Sequence, residues 1–576
     1  MPAEVGGRLE TIPPHRSLFG PDYARLFALF TIAIAVHAWL VAHTAITARD
    51  SMGYARVALN ISNPTAGSDG KPRQFIDVIR TAEQPPGYPL AILAVEKVLR
   101  PFSMPLSDRF LLAAQLANAI GAVLLVAPMY LTGRILFGRN VGFASALLFQ
   151  VLPVPARMTS DGLSEGVYLL FAATAIMLAV RAFRKPGIGG FLLCGLATGA
   201  SYLVRPEGLG VGIAVSAVIA WMGFKRRWPR DQSLGRLTAL LVGISLIAVP
   251  YMVLIGKITN KPTGGVIADP FNTNPAPVWM DSRDTGAMHQ LRVNATVFAI
   301  WWDPVRDAGK NRELWALHAV WIESIKALHY VIGGLALIGI FAHRRQLFSP
   351  DLGMWFLIAL SVLNLLVMFY LAERIRYVSE RHTLLFVMLT CVFAASALKP
   401  LAHFVSSLPR LGKLVIWPRT APGGLLFAIV LSTLPFTLQP LHPQREGHKH
   451  AGRWLATESG MTDADHLIDP LSWAEWYAGR TLYNTPRYHG QPKVKWVVVE
   501  EKKKEFHSRI PQWEKANDEI KKGTKVYSWP EEPRDNVPTV CVYKVILEQP
   551  KPNVPPQTAP MNTQPAPTKN GTGTPQ

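Results

Sequence analysis

Four polar interruptions in an otherwise apolar chain carry the residue types needed for acid–base or phosphate chemistry. The first is Asp50, in Thr47-Ala48-Arg49-Asp50-Ser51-Met52-Gly53-Tyr54. It follows directly on the first long apolar run, where the chain would leave a bilayer. Partial desolvation there is expected to raise a carboxyl pKa, which suits the group to accept a proton. An interfacial carboxylate ending a helix would occupy the same position. The second is Glu83, in Glu83-Gln84-Pro85-Pro86-Gly87-Tyr88-Pro89. Its paired prolines make a stiff turn that returns the loop to the membrane surface. The third is Asp161, with Glu165 nearby, in Met158-Thr159-Ser160-Asp161-Gly162-Leu163-Ser164-Glu165. Ser160 or Asp161 is placed to cap the next helix, with Ser164 or Glu165 in its first turn. That role does not exclude chemistry. The fourth is the run Glu373-Arg374-Ile375-Arg376-Tyr377-Val378-Ser379-Glu380-Arg381-His382. Guanidinium forks bind phosphate bidentately, and a loop at headgroup depth is where a lipid phosphate lies. Pairing with Glu373 and Glu380, or with anionic lipid, is the alternative. Arg205 and Glu207 read as a plain ion pair.

The elements that must position these residues are membrane spans. Of 576 residues, 49% are hydrophobic and only 17% charged, against about 25% charged in an average soluble protein. From Tyr23 to Leu438, apolar runs alternate with short charged loops. A hydrocarbon core of about 30 Å needs roughly 20 apolar helical residues. Spans are expected at 24–46, 109–131, 141–156, 163–182, 187–204, 207–224, 237–255, 327–342, 353–371, 382–398 and 421–438, about eleven in all. Those at 141 and 187 are short enough to need tilt or local thinning. Gly87 to Arg100 is shorter still, carries Glu96 and Lys97, and reads as an interfacial helix.

Loop charges set the expected orientation. Arg134 and Arg139, then Arg181, Arg184 and Lys185, then Lys225, Arg226, Arg227 and Arg230 share a side with the N-terminus. So do Arg344, Arg345, Lys399, Arg410, Lys413 and Arg419. The positive-inside rule makes that side cytoplasmic. Residues 1–23 are then a cytoplasmic N-terminus and 24–443 the membrane domain, with external loops at 47–108 and 256–326. The three arginines of 374–381 run against this bias, so orientation does not explain them. An odd number of spans exports the remainder. Residues 444–548 have soluble composition and mix helix with strand; Lys495 to Glu500 and Thr539 to Ile546 are β-branched runs of strand length. Residues 549–576 are rich in Pro, Thr, Gln and Asn and are expected to be disordered.

Several function classes are excluded. The net charge of +20 lies in short clusters between apolar runs rather than as a stripe on a folded face, so nucleic acid is not the expected partner. Cys194 and Cys391 fall in apolar segments and Cys541 stands alone, leaving no disulfide framework or metal-binding cysteine pattern. No Walker loop, GxGxxG or GxSxG is present. In the loop 256–326, Trp279, Trp301, Trp302 and Trp315 suit a membrane belt or sugar stacking, while His289 and His318 lack metal-ligand spacing.

Together these features resemble the membrane glycosyltransferases of the GT-C fold. They are similar in particular to the bacterial lipid-A aminoarabinose transferases and the protein mannosyltransferases, which use polyprenyl-phosphate sugars. The resemblance covers roughly residues 20 to 400. It rests on order: an Asp after span one (Asp50, then Tyr54), a Pro-Pro turn after an acid (Glu83, Pro85, Pro86), a Ser-Asp loop before span four (Ser160, Asp161), and an Arg-Tyr loop before a late helix (Arg376, Tyr377, Arg381). It implies an α-helical polytopic GT-C-like protein with a small exported α/β domain, in a bacterial inner membrane. It further implies a hexosyl- or pentosyltransferase moving sugar to a lipid, glycan or protein acceptor. Asp50 would be the catalytic carboxylate and Asp161 the second acid. Glu83 would match a position that in some members helps bind a divalent cation. Arg374, Arg376, Tyr377 and Arg381 would lie in the region that holds the lipid phosphate. The chain departs from the lipid-A enzymes at the turn, where Gln84 stands in place of a lysine, which leaves the subgroup and the donor sugar open. A transporter or flippase of lipid-linked glycans is the alternative. Transporters place charges within spans and show internal repeats, whereas here the charges cluster at helix ends and no repeat is evident.

Overall fold

The computed structural model describes residues 22–63, 74–261, 312–347, 352–375, 378–407, 421–480, 492–501, 511–532, 534 and 537–547. Arg376, Tyr377, Trp279, Trp301, Trp302, His289 and residues 549–576 lie outside these. Up to Thr437 the described chain is almost wholly helical, because a backbone in hydrocarbon must satisfy its own N–H and C=O groups. The helices are α1 (Tyr23–Ala42), α2 (Arg49–Ser62), α3 (Phe75–Thr81), α4 (Gly87–Leu99), α5 (Leu106–Phe137), α6 (Arg139–Val151), α7 (Pro153–Ser160), α8 (Glu165–Arg184) and α9 (Ile188–Val204). They continue with α10 (Leu209–Phe224), α11 (Arg230–Ile255), α12 (Arg312–Ala327), α13 (Val331–Ala342), α14 (Leu352–Ile375), α15 (Leu384–Ser407) and α16 (Ala421–Thr437).

The chain is a multi-pass helical membrane protein. Among the described residues seven helices are long and apolar enough to cross a membrane, or up to nine if two bent pairs each count as one span. The expected number of about eleven is not reached because α9 and α16 have 17 residues each. At 1.5 Å per residue each rises about 26 Å, less than the hydrocarbon core.

The two bends have identifiable causes. The stretch 141–156 breaks at Leu152, where Pro153 opens α7 at 65° to α6; proline lacks the N–H that would continue the first helix but suits the start of a second. The stretch 327–342 is preceded by α12, which turns through 94° into α13 at His329 and Tyr330, both with positive φ. α12 itself is amphipathic, burying Trp315, Ala316, Ala319 and Val320 while Leu314, Leu317 and Trp321 are exposed.

The hub is α5, a helix of 32 residues. It crosses α8 so closely that a Cβ on Gly166 would lie 2.2 Å from the Asn118 carbonyl oxygen. Asn118 secures the crossing. Its Oδ1 accepts the Gly166 N–H at 2.5 Å, and its Nδ2 donates to the carbonyls of Met158 and Asp161 at 2.9 and 2.8 Å. One buried amide thus fixes the whole 158–166 turn. At the other end of α1, buried Asp22 takes Arg134, Arg139 and the Tyr130 hydroxyl at 2.9, 3.0 and 2.7 Å.

The C-terminal domain begins with α17 (Glu446–Thr457) and carries β1 (His466–Ile468), α18 (Trp473–Tyr477), β2 (Val494–Glu501), α19 (Pro511–Ile520), β3 (Thr524–Trp529) and β4 (Thr539–Ile546). The sheet order is β1-β2-β4-β3, parallel between β1 and β2 and otherwise antiparallel, with Val499 opposite Cys541. The continuous apolar run of β2 follows from burial on both faces. Trp496 and Val498 pack with Ala451 and Leu455 of α17, while Val497 and Val499 pack with Ala516 of α19.

This domain is fastened to the membrane helices where α1 gives way to α2. The Trp473 Nε1–H donates to the Thr47 carbonyl at 3.0 Å and the Trp476 Nε1–H to the Ser107 carbonyl at 3.2 Å. The backbone N–H of Leu441 donates to His43 O, and that of Ala45 to Leu441 O, at 3.2 and 3.1 Å. Trp473 and Trp476 are therefore buried joints rather than open sugar platforms.

Candidate active site

Asp50 lies in the first turn of α2, near the positive end of the helix dipole. The helix is seated by Ser51, which packs so tightly on Gly162 that a Cβ there would meet its Oγ at 2.6 Å. Arg381 reaches Asp50 from across the site and donates a hydrogen bond to its Oδ2. Arg381 stands in a 3-10 turn, Glu380–Thr383, directly ahead of α15. Ser379 opens that turn and ties it back on itself, its N–H and Oγ both meeting His382 Nδ1, at 3.2 and 2.9 Å.

The Asp50 side chain is 48% exposed. The Arg381 charge holds its carboxyl below the usual range, outweighing the opposing effect of burial, and Arg49 and Arg205 add to the lowering. The expectation of a raised pKa is corrected accordingly. A guanidinium in hydrogen-bond contact dominates over partial desolvation.

Behind this pair lies a closed charge network. Arg205 is buried between Glu165 and Glu207, at 2.5 and 3.3 Å, and Lys261 meets Glu207 at 2.8 Å. The Arg205 guanidinium also lies over the Tyr168 ring at 5.6 Å. The Tyr54 hydroxyl pairs with Ser164 Oγ at 3.2 Å, and its ring meets Tyr88 edge-on at 4.9 Å. The expected pair of Arg205 and Glu207 exists but is only half of the arrangement. Glu165 and Lys261 were not legible as its members, because 40 and 54 residues separate them from their partners.

Asp161 occupies a different kind of position. It follows α7 with extended backbone and is buried, its side chain 2% exposed. Its Oδ1 accepts the backbone N–H groups of Ala48 and Gly162, at 2.9 and 2.7 Å, and its Oδ2 meets His442 Nε2 at 2.7 Å. The expected cap of the next helix is not made. Asp161 instead ties the segment that enters α2 to the segment that enters the C-terminal domain.

The other expected residues are dispersed. Glu83 is exposed between α3 and α4, while Pro85 and Pro86 are buried. The turn packs on the end of α9, where a Cβ on Gly87 would lie 2.6 Å from the Leu203 carbonyl oxygen. Arg374 pairs with Glu373 at 3.5 Å and stacks over Tyr370 at 5.5 Å. Among the described residues no three His, Cys, Asp or Glu side chains converge as a metal site. Glu83 has no companion set of three such ligands among the described residues. From the C-terminal domain, Glu475 of α18 faces the charges of Arg56 and Arg49. Burial and nearby Asp469 push its carboxyl up to about 8.

The architecture is that of the GT-C fold. The chain is similar to ArnT from Cupriavidus metallidurans in its apo state, with a TM-score of 0.52 and 13% identity over 90% of this chain and 98% of that one. The same enzyme bound to undecaprenyl phosphate gives 0.50 and 12% over the same shares. The oligosaccharyltransferase AglB from Archaeoglobus fulgidus, solved with an inhibitory peptide and a dolichol-phosphate, aligns at a TM-score of 0.47 and 13% identity over 82% of this chain. The present chain spans 61% of the length of AglB. The sequence model of the dolichyl-phosphate-mannose-protein mannosyltransferase family matches residues 99–253, and no curated protein sequence matches the chain.

Proposed function

We propose that the chain is a membrane glycosyltransferase that moves a sugar from a polyprenyl-phosphate donor to a lipid, glycan or protein acceptor. The observation that carries this reading is the Asp50–Arg381 pair, a carboxylate and a phosphate-binding fork in contact at a half-exposed helix start on a GT-C-like scaffold. Without donor, Arg381 neutralises Asp50. A donor phosphate competes for the guanidinium through charge-assisted bidentate contacts, and its arrival leaves the carboxylate available as a base.

The reaction then balances without a cofactor. Asp50 takes the acceptor hydroxyl proton as the acceptor oxygen attacks the anomeric carbon. The bond from that carbon to the phosphate oxygen breaks, and its electron pair leaves with polyprenyl phosphate, whose charge Arg381 stabilises. Displacement is direct, so the anomeric configuration inverts. Arg376 and Tyr377 would complete the phosphate site and Asp161 would support the base. Glu83 would help hold a divalent cation if the donor phosphate brings one.

On this reading α9 and α16 also cross the membrane, which with the nine candidates gives the eleven spans expected. The membrane domain then covers 24–443 and the C-terminal domain 444–548. The N-terminus is cytoplasmic, and the α1–α2 junction and C-terminal domain face outward from a bacterial inner membrane.

The test is purified protein in liposomes with a radiolabelled polyprenyl-phosphate sugar and a panel of acceptors. Label should move to an acceptor in the wild type and not in Asp50→Asn. Undiminished transfer by Asp50→Asn removes Asp50 as the base. Translocation of lipid-linked glycan with no sugar consumed replaces the enzyme by a flippase.

A further inference from the structure

A cavity of about 330 Å³, whose lining includes neither Asp50 nor Arg381, lies between the two domains. That volume is at the lower end of the range for small-ligand sites, about 300–1,000 Å³. One wall is apolar and belongs to the membrane helices: Val41 at the end of α1, and Leu111 and Leu112 in the second turn of α5. The opposite wall is Lys449 and Arg453 of α17, with Asp108 of α5 between the walls.

The charges there do not cancel. Arg453 Nη2 spans both Asp108 oxygens, at 3.1 and 3.0 Å. Lys449 Nζ stops 3.9 Å from the same carboxylate, beyond hydrogen-bond range. Among the lining side chains two cations face one anion at a polar–apolar boundary, with Glu446 attracting Lys449 from outside the lining; the lysine ammonium, 5.7 Å over the Tyr477 ring, keeps donors for another oxygen ligand. Burial lowers the Lys449 pKa, with Arg453 adding to the lowering against the attraction of Asp108 and Glu446.

We infer that this cavity is a binding site for the phosphate headgroup of an anionic phospholipid, with Lys449 and Arg453 on the phosphate and Leu111 and Leu112 against the first carbons of its chains. A phosphodiester carries the single negative charge that the site lacks. The apolar wall continues into α1 and α5, so the chains would extend along helices that already face lipid. Thr47 also lines the cavity, and its carbonyl receives the Trp473 indole N–H. A bound headgroup would therefore sit at the joint between the domains.

The test is native mass spectrometry of the full-length protein extracted from nanodiscs of phosphatidylglycerol or phosphatidylcholine, a readout independent of sugar transfer. Wild type should retain phosphatidylglycerol in preference. Lys449→Gln with Arg453→Gln should lower the apparent affinity roughly tenfold or more, as loss of charge-assisted contacts does. Ala45→Trp, which fills the cavity and leaves the charges intact, should lower it similarly. Asp108→Asn should raise it, because the competing carboxylate is gone. Equal retention in wild type and both loss variants would overturn the proposal. Loss of retention in Asp108→Asn would also overturn it, reducing the three residues to a clamp between domains. Displacement of the lipid by inorganic phosphate, with equal protection by inorganic phosphate alone, would overturn the lipid assignment.

Discussion

Asp50 and Asp161 are both acids at the end of an apolar run, yet they sit in opposite environments. Asp50 is half exposed and held by one flexible side chain from a distant turn. Asp161 is buried and receives two backbone N–H groups and a histidine. An exchangeable ion pair at an open position gains little stability, but it can be redirected by a competing anion. A buried carboxylate held by three donors cannot be redirected without a large desolvation cost. The difference separates a group available for chemistry from one that builds the ground under it.

The most direct way to break that contrast is to neutralise each acid. Asp50→Asn should cut transfer by about 10²–10⁴, the span of general-base contributions, with the thermal midpoint unchanged within about 1 °C, as for an exposed substitution. Next in size is Arg205→Ala, which strips the counterion from buried Glu165. It should destabilise the protein by about 3–5 kcal/mol, the range for breaking a buried pair, read as a lowered unfolding midpoint in detergent. Asp161→Asn should cost about 1–3 kcal/mol through the altered His442 contact, and activity should recover on cooling. Full loss of transfer at unchanged stability would move Asp161 into the chemistry and erase the distinction.

Two pH effects sharpen the same comparison. Since Arg381 lowers the Asp50 pKa, the contribution of the pair to stability is present above the unfolded value, about 3.9. It is lost as pH falls through the lower folded value. The acid limb of kcat/KM for the free enzyme should lie below that of Arg381→Gln, in which the carboxyl is released upward. Glu475 has the opposite sign, with its folded pKa raised to about 8. Its contribution is complete below its ordinary value of 4.5 and fades as pH rises through about 8. Thermal melts should show stability falling as pH rises over that window, a fall absent in Glu475→Gln.

The spans were legible because twenty apolar residues admit few structures, and the short segment before Arg100 does form a helix. What failed was continuity. Pro153 sits inside an apolar run, so hydropathy passes through it while the backbone cannot, and the turn at His329 and Tyr330 leaves no apolar signature at all. At the site, Asp50 and Arg381 could each be nominated from local sequence. Their contact spans 331 positions and belongs to the fold. Asp161 was nominated for the right turn but with the wrong bonds. Its partners are two backbone N–H groups and a histidine 281 positions on, none of which leaves a mark in the motif. The terminal tryptophans show the limit of composition, since an indole that stacks on sugar and one that pins a loop are the same letter.

The joints at Trp473 and His442 also carry a consequence for biosynthesis. The segment that presents Asp50 emerges early from the ribosome and enters the membrane early, yet the side chains that brace it are made last. Until the final quarter of the chain has been translated and folded, the entry to α2 lacks its contacts with His442 (through Asp161) and Trp473. On the proposed reading, a chain that stops short would present Asp50 without these two late contacts.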